Sequence, residues 1–247
     1  MLAGRRGLVL GVSGPDSIGY AIARRCTELG AHVTVACRPA RVERVAPLGF
    51  DVLPLEVDDE ASFARIGALP GLDFLVHGLA GVPEGLLAQP LTDVSRADFE
   101  HVLSVAAWSL VAACRHGKPL LAKSSAPRVV ALTSICGHRM TPHYHVAGIA
   151  KAALESAVLY LAQELGRAGI LVNAVGSGLV ATEGARRAVG DAAATATRAI
   201  QGKRAATGRA VEPDEIADAV AFFASPLARN ITGEILTVDG GFSRNYL

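Results

Sequence analysis

Short apolar segments alternate along this chain with longer segments that carry apolar residues every three or four positions. The short segments are typical of buried β-strands, and the three-to-four periodicity is typical of amphipathic helices. Strands are predicted at residues 7–11, 32–37, 51–57, 73–77 and 129–132, in the segment that begins at 169, and at 234–238. Helices are predicted between these strands, among them a long one between residues 95 and 122 and another at 213–224. Strands that alternate with helices favour an α/β fold, here a doubly wound, seven-stranded parallel sheet with helices on both faces.

Composition favours a single domain over residues 1–247. A chain of 247 residues with 51% hydrophobic content can bury one sizeable core, and we find no internal repeat or linker. The net charge of +1 gives no general attraction to nucleic acid or to an anionic membrane. No apolar run reaches the ~18 residues of a membrane span, and no signal-peptide core is present, so we expect a soluble cytoplasmic protein.

The cysteines and histidines do not form a metal-binding pattern. The four cysteines, which lack the spacing of zinc sites, are Cys26, Cys37, Cys114 and Cys136. We expect buried thiols in a reducing compartment and no metal. His143 and His145 would not share a helix face, so they are interpreted as pocket walls or exposed residues rather than as ligands.

The first predicted strand leads into a glycine-containing turn and then into a helix. Gly11 ends the strand, and Ser17, Ile18 and Gly19 begin the helix. Backbone N–H groups at a helix N-terminus can bind a pyrophosphate, and the helix dipole adds to that attraction. This order predicts a Rossmann-type dinucleotide-binding domain. The glycines do not match G-x-G-x-x-G, so a tight turn without a ligand is the alternative.

The end of the second predicted strand bears on the choice of dinucleotide. An NAD-specific fold places an acidic residue there to accept hydrogen bonds from the ribose hydroxyls, whereas this chain has Arg38, with Arg41 close behind. A guanidinium can pair with the 2′-phosphate of NADPH through its planar fork. NADPH is therefore the predicted cofactor, with NADH possible, and a solvated charge is the alternative for Arg41.

A serine, a tyrosine and a lysine lie between the fifth predicted strand and the next helix. Ser134 follows the strand, Tyr144 lies where the helix begins, and Lys151 is seven residues further along. Seven residues are close to two helical turns, so the tyrosine and lysine side chains are expected to project from one face. The strand end and the helix should therefore bring these three polar groups together.

These residues, with the glycine turn and the VDGGF near the end, resemble the short-chain dehydrogenase/reductase superfamily over nearly the whole chain. Ordinary members have Y-x3-K, whereas this chain has Y-x6-K and Ala147 at the ordinary tyrosine position. That spacing is similar to the enoyl-acyl-carrier-protein reductase branch. The chain departs from the branch at Ile135, where a second tyrosine is common, and at Leu179, where a proline is expected.

The displaced tyrosine has a chemical meaning. In carbonyl reduction the proton donor must lie beside the carbon that accepts the hydride. In conjugate reduction of a 2-enoyl thioester the hydride goes to the β-carbon, and charge develops on the thioester oxygen several bonds away. Compared with Y-x3-K, the tyrosine of Y-x6-K lies three residues further back along the helix, which displaces it by about 4.5 Å. The spacing therefore favours reduction of the carbon–carbon double bond, with Tyr144 stabilising the enolate and NADPH, predicted above, as the cofactor.

The resemblance implies the remaining site residues. The catalytic residues would be Tyr144, Lys151 and Ser134, although Ser134 could instead cap a turn. The cofactor would be bound by Gly11, Ser17, Ile18, Arg38, Glu56, Val57, Gly78, Ala80, Lys151, Gly178 and Thr182. Asp58 is the alternative to Glu56 as the acid that contacts adenine.

Substrate and assembly follow from the same resemblance. The substrate would be an acyl thioester of an acyl carrier protein or of coenzyme A, and the protein would be a homotetramer paired through long helices. Residues 183–210 contain few large apolar side chains and are predicted to be a mobile lid, whose basic residues would contact the substrate or remain solvated. The alternatives are a carbonyl reductase that uses Tyr144 and a catalytically idle nucleotide-binding protein.

Overall fold

The computed structural model describes residues 1–245, which contain one seven-stranded sheet. The strands are β1 Arg6–Leu10, β2 His32–Cys37, β3 Asp51–Pro54, β4 Phe74–His77, β5 Arg128–Ser134, β6 Leu171–Ser177 and β7 Ile235–Val238. Their order is β3-β2-β1-β4-β5-β6-β7, and all neighbours are parallel. The predicted fold class is confirmed. The strand order reverses between β1 and β4, where open α/β sheets bind ligands at the carboxyl ends of their strands.

Helices cover both faces of the sheet. They are α1 Ile18–Glu28, α2 Val42–Val45, α3 Ala64–Gly67, α4 Arg96–Leu103, α5 Ser109–Leu121, α6 His145–Gly166, α7 Glu183–Val189, α8 Asp191–Arg204 and α9 Pro213–Ala224. The α1 and α9 helices share one apolar cluster, and α3, α5 and α6 share a second. Strand β4 is buried throughout, with Phe74 and Val76 in the first cluster and Leu75 in the second. This alternation follows from the two-residue period of a strand.

Two predicted elements differ from the structure in informative ways. The third strand ends at Pro54 instead of continuing to residue 57, because Pro54 pairs with Cys37, the last residue of β2, and beyond it Leu55 alone still donates to Cys37. The long helix predicted between residues 95 and 122 is interrupted by a π-helical segment, Ser104–Trp108, between α4 and α5. Such segments occur frequently at functional sites.

Two helical segments, Arg96–Leu121 and His145–Gly166, are long and apolar enough to cross a membrane by length and composition alone. Core helices of folded domains satisfy the same criterion. In this structure 44% and 56% of the two apolar windows is buried, and both helices contribute side chains to the second apolar cluster. Their hydrophobicity is therefore explained by packing against the sheet.

All four cysteines are free thiols. Cys26, Cys37 and Cys114 are buried, as expected, whereas Cys136 is half-exposed, so the prediction of a buried thiol was wrong there. Cys136 lies on the irregular segment after β5, where its Sγ is 3.2 Å from Thr141 Oγ1.

Candidate active site

Glycine backbones meet at the point where the strand order reverses. Gly11 follows β1 with a φ of +98°, and a Cβ there would lie 2.4 Å from the backbone oxygen of Gly78, which follows β4. A Cβ on Gly78 would lie 3.0 Å from the oxygen of Leu10. Only glycine permits this approach without a shift of the backbone. The two predicted positions are thus brought together at the edge where a dinucleotide would bind.

The N-terminus of α1 completes this edge. Ser17 is its N-cap, and the Ser17 hydroxyl accepts from the N–H of Tyr20 and donates to the carbonyl of Gly14 at 2.7 Å. The N–H groups of Ile18 and Gly19 donate to no group within residues 1–245. Free donors at a helix N-terminus suit an anion. The residues present therefore fit the pyrophosphate of a dinucleotide.

The basic residues after β2 have different environments. Arg38 is exposed, and its side chain forms no hydrogen bond or ion pair with any described residue. Arg41 lies 3.7 Å from a carboxylate oxygen of Glu183, and Arg44 lies 2.5 Å from the other. Arg44 also lies 3.9 Å from Asp16. Arg41 is therefore half-buried and forms an ion pair with Glu183 at the start of α7, a carboxylate that it shares with Arg44.

The segment after β3 holds the predicted adenine contacts, and the turn after β4 holds further predicted cofactor contacts. The Glu56 carboxylate accepts from the N–H of Val57 at 3.1 Å, and Val57 is buried. Asp58, the alternative acid, lies 3.4 Å from His101 on α4 and so points toward a different partner. Ala80 is exposed. Of the two candidate acids, Glu56 is therefore the one whose carboxylate is held by a backbone hydrogen bond, from the N–H of Val57.

Lys151 links α6 to the carboxyl edge of the sheet. Its Nζ donates to the carbonyl oxygens of Leu132 at 2.8 Å and Leu79 at 3.3 Å, which belong to β5 and to the turn after β4. The side chain is buried, and burial lowers the pKa of Lys151 to about 8, while the nearby Glu155 carboxylate opposes this shift. The lysine is thus held at the switch-point edge with a pKa close to neutral pH.

Glu155, one turn after Lys151, connects three parts of the site, and the sequence interpretation missed it. It is buried, and it accepts from the Thr133 hydroxyl of β5 at 2.8 Å. His138, on the irregular segment, lies 3.5 Å from its other oxygen. A Cβ at Gly137 would lie 2.6 Å from the carboxylate, so the backbone there is packed against it.

Tyr144 is the N-cap of α6, with φ −140° and ψ 22°. The seven-residue spacing predicts that helix periodicity sets the direction of the Tyr144 side chain. Because Tyr144 precedes the first helical residue, that direction is set otherwise. The ring is half-buried, and its burial raises the pKa of the phenol well above the ordinary value. The hydroxyl forms no hydrogen bond with any described residue, and its oxygen is not fully buried. A protonated donor is thus available for a ligand.

An apolar cluster lies beside Tyr144, between α4, α6 and the turn that precedes residue 90. Its buried members are Leu86, Leu87, Val102, Ala106, Val146, Ala147 and Ala150, with Ala188 and Val189 of α7 packed against it. Ala147, at the position of the ordinary superfamily tyrosine, is 4% exposed. The phenol therefore stands at the edge of an apolar wall that α7 partly covers.

Ser134 and His145, one of the two histidines that flank Tyr144, form hydrogen bonds with nearby groups. The Ser134 hydroxyl accepts from the N–H of Cys136 at 3.3 Å and so caps the turn Ile135–Gly137, which was one of its two predicted roles. His145 accepts from the N–H of Val146 at 2.8 Å and lies 2.9 Å from the carbonyl of Gln89. His143 is exposed. Within residues 1–245 no group of His, Cys, Asp or Glu is arranged to bind a metal.

Gly178 and Thr182 lie between β6 and α7. Gly178 is buried, and a Cβ there would lie 2.9 Å from the amide oxygen of Gln201 of α8, which has no hydrogen-bond partner within the described chain. Thr182 caps α7 by accepting from the N–H of Ala185 at 3.2 Å. The α8 helix therefore packs onto the loop that contains Gly178, one of the predicted cofactor-binding residues.

His77, at the carboxyl end of β4, is a second residue that sequence interpretation missed. It is fully buried, and its Nε2 lies 2.7 Å from the Ser109 hydroxyl, which donates to the carbonyl of Val105. Nε2 must therefore carry the hydrogen, which leaves Nδ1 without a partner among the described residues. Burial, with Lys151 nearby, lowers the pKa of His77 to about 3, so the ring is neutral. A histidine that ends an apolar strand was the available signal.

Comparison with known proteins decides the family. The sequence pattern described as "Enoyl-(Acyl carrier protein) reductase" matches residues 11–243. The chain belongs to this family. An enoyl-[acyl-carrier-protein] reductase [NADH] of Nostoc sp. is 34% identical and covers 98% of this chain and 97% of the relative. The corresponding enzyme of Bacillus cereus is 32% identical and covers 98% of each.

Solved structures of enoyl-acyl-carrier-protein reductases have the same fold. The Aquifex aeolicus VF5 enzyme superposes with a TM-score of 0.93 at 29% identity, covering 100% of this chain and 99% of that one. The Bacillus cereus enzyme, solved with NADP+ and indole naphthyridinone, gives 0.93 at 31% identity with the same coverage. The predicted resemblance is confirmed, and the chain is an NAD(P)H-dependent oxidoreductase of the enoyl-reductase type. The names of the relatives favour NADH over the predicted NADPH.

Proposed function

We propose that this protein reduces the carbon–carbon double bond of a 2-enoyl thioester, carried by an acyl carrier protein or by coenzyme A. The observation that carries the proposal is the arrangement on α6. Tyr144 caps the helix, Lys151 reaches the sheet edge, and Ala147 is buried at the position where a ketone-reducing relative would place its phenol. Membership of the enoyl-reductase family supports the same reaction.

The protein side chains would act on the developing negative charge. The bound nicotinamide would supply the hydride to the β-carbon. Tyr144 keeps its proton at neutral pH because burial raises its pKa, so its hydroxyl can donate to the thioester oxygen. Lys151 would bind the ribose hydroxyls and hold positive charge near that oxygen. An oriented donor of this kind contributes roughly 10² to 10⁴ in rate.

The apolar cluster beside Tyr144 would hold the acyl chain. Its side chains are aliphatic, and α7 packs against it through Ala188 and Val189. We therefore propose that residues 183–210, which contain α7 and α8, cover the substrate as a lid. Exposed basic residues in this region, among them Arg187 and Lys203, would attract the phosphate of a phosphopantetheine arm or an acidic carrier protein.

NADPH is the proposed preferred cofactor, with NADH also accepted. The end of β2 offers the exposed Arg38 and no acidic residue for the ribose hydroxyls, and a relative with the same fold was solved with NADP+. Relatives named for NADH favour the other dinucleotide. Measured kcat/KM values for NADPH and NADH with one enoyl substrate decide between them.

A paired assay tests the reaction. Purified protein is mixed with NADPH or NADH and with either a series of 2-enoyl thioesters or the matching 3-ketoacyl thioesters, and nicotinamide absorbance is followed. The proposal predicts oxidation of the cofactor only with the enoyl series. Consumption of the keto series alone would instead show a carbonyl reductase. Tight dinucleotide binding with no turnover on either series would show an idle binding protein.

A further inference from the structure

A group of charged residues joins the start of α7 to the proposed adenosine end of the dinucleotide site. We call it the Glu183 cluster, and its members are Asp16, Arg41, Arg44, Glu183, Arg186 and Arg187. Glu183 is its centre, with one carboxylate oxygen 2.5 Å from Arg44 and the other 3.7 Å from Arg41 and 3.0 Å from Arg187. One carboxylate is thus shared by two of the arginines that follow β2 and by Arg187.

The cluster also touches the glycine turn before α1. Asp16 accepts from the backbone N–H of Glu183 at 2.9 Å and lies 3.3 Å from Arg186. The Arg44 guanidinium lies over Gly14, where a Cβ would be 2.7 Å from its Nε. The turn, the arginines and α7 therefore form one connected surface beside the proposed 2′-phosphate position.

Charge makes Glu183 a competitor of a 2′-phosphate. Hydrogen bonding by Arg44 lowers the pKa of Glu183, so the carboxylate is ionised at neutral pH. A phosphate dianion and a carboxylate both pair with a guanidinium through the same planar fork. The arginines cannot form their full set of contacts with both anions at once. Arg38, exposed and without an ion-pair partner among the described residues, is open to either dinucleotide.

We propose that Glu183 sets the preference between NADPH and NADH, because its carboxylate competes with the 2′-phosphate of NADPH for Arg41 and Arg44. This inference rests on the proposed dinucleotide site at the end of β2. NADH, which lacks the phosphate, binds with the Glu183 cluster intact. NADPH binds by drawing Arg44 away from Glu183, which loosens the attachment of α7 to the glycine turn.

The direct test compares two adenosine ligands that differ only by the 2′-phosphate, adenosine 2′,5′-bisphosphate and 5′-AMP, by titration calorimetry. In Glu183→Gln the preference for the bisphosphate should rise about fivefold over wild type, the size expected for one exposed ion pair, while 5′-AMP affinity stays unchanged. Glu28→Gln removes the same charge from an ion pair with Arg24 and should leave the preference unchanged. An unchanged preference in Glu183→Gln, or an equal gain for both ligands, would overturn the proposal.

A second measurement uses the wild-type protein, so it does not depend on the folding of a variant. Amide hydrogen exchange of residues 183–189 is measured with saturating adenosine 2′,5′-bisphosphate and with saturating 5′-AMP. The bisphosphate should increase exchange in this segment relative to 5′-AMP. Equal exchange with the two ligands would contradict the competition. Neither ligand experiment needs an enoyl substrate, so failure of the proposed reaction and failure of this inference are distinguishable.

Discussion

The hydroxyl of Tyr144 has no partner within the described residues, and its aromatic ring packs against the apolar cluster. Replacing this tyrosine by phenylalanine should keep the packing and remove only the donor. We expect Tyr144→Phe to lower kcat about 10²-fold or more, because the enolate oxygen loses its hydrogen bond. Cofactor affinity, measured by fluorescence titration of the reduced dinucleotide, should change little.

The matched control for Tyr144→Phe is Tyr160→Phe. Tyr160 lies on the same helix, but its side chain is 72% exposed and outside the cluster beside Tyr144. Its variant should keep the wild-type kcat. If both variants were fully active, Tyr144 would have no part in the reaction.

Lys151 gives the pH dependence of the reaction. Burial lowers the pKa of Lys151 to about 8, so the ammonium is charged below that pH and is lost as pH rises through it. We expect kcat/KM to be level below pH 8 and to fall about tenfold per pH unit above it, because this ratio reports ionisations of the free enzyme. Initial rates between pH 6 and 10 with one enoyl thioester measure this limb.

Glu155 provides an internal check on that assignment. Its carboxylate raises the pKa of Lys151 against the effect of burial, so Glu155→Gln should lower that pKa and move the falling limb to lower pH. Thr133 can still donate to the amide oxygen of the glutamine, so the fold should be retained. A limb that stays at the same pH in Glu155→Gln would assign it to another group.

At the scale of elements, the contact between the turns after β1 and β4 depends on Gly11. Gly11→Ala adds a Cβ 2.4 Å from the backbone oxygen of Gly78 and strains a φ of +98°. Gly49→Ala is the control, because Gly49 has a φ of +85° and no atom within 4 Å of the added Cβ. The control should cost about 1 kcal/mol of unfolding free energy from backbone strain alone.

Gly11→Ala should lower the melting temperature more than Gly49→Ala does, since the two turns must move apart. For the same reason it should also lower dinucleotide affinity more than the control does. Thermal unfolding with and without dinucleotide measures both quantities. Equal losses in the two variants would mean that the predicted close approach does not contribute.

The sequence predicted the elements best where local patterns and tertiary packing agree. The bounds of β2 and α9 match the predicted 32–37 and 213–224, because each is a continuous apolar or amphipathic run with a clear end, such as Pro213 after the capping residue Glu212. The π-helical Ser104–Trp108 was not predicted, since its apolar spacing is compatible with an ordinary helix. Ser109, which directly follows the segment, contacts the distant His77, a tertiary contact that the local pattern does not reveal.

At the scale of the whole molecule, α6 carries apolar side chains that the chain itself does not cover. Ile149, Leu159 and Tyr160 are 37%, 52% and 72% exposed, and the first and last are eleven residues apart, about three turns. We expect this face to pair with a second copy in the predicted homotetramer. Leu159→Arg should lower the mass measured by light scattering at micromolar concentration. A monomeric wild-type protein would refute the predicted assembly.

The candidate catalytic residues lie in one short stretch of sequence, whereas the charges around the site come from distant parts of the chain. Tyr144, Lys151 and Ser134 lie within a strand end and two turns of helix, so their closeness along the chain sufficed to group them, although helix periodicity does not set the direction of the Tyr144 side chain. The pairing of Arg44 with Glu183 joins parts of the chain that are distant in sequence, and only the folded sheet brings them together. The single domain, the lid and the cytoplasmic location remain predictions.

Ala147 has a consequence for how enzymes of this superfamily change reaction during evolution. Its methyl group is buried within the apolar cluster, so a phenol could not be introduced there without first making room for the ring. An enzyme that changed from alkene reduction to ketone reduction would need substitutions at several aliphatic neighbours before a tyrosine at position 147 was tolerated. Single-step mutagenesis toward the other chemistry should therefore yield unstable intermediates, and successful conversions should begin with smaller residues at Leu87 or Val102.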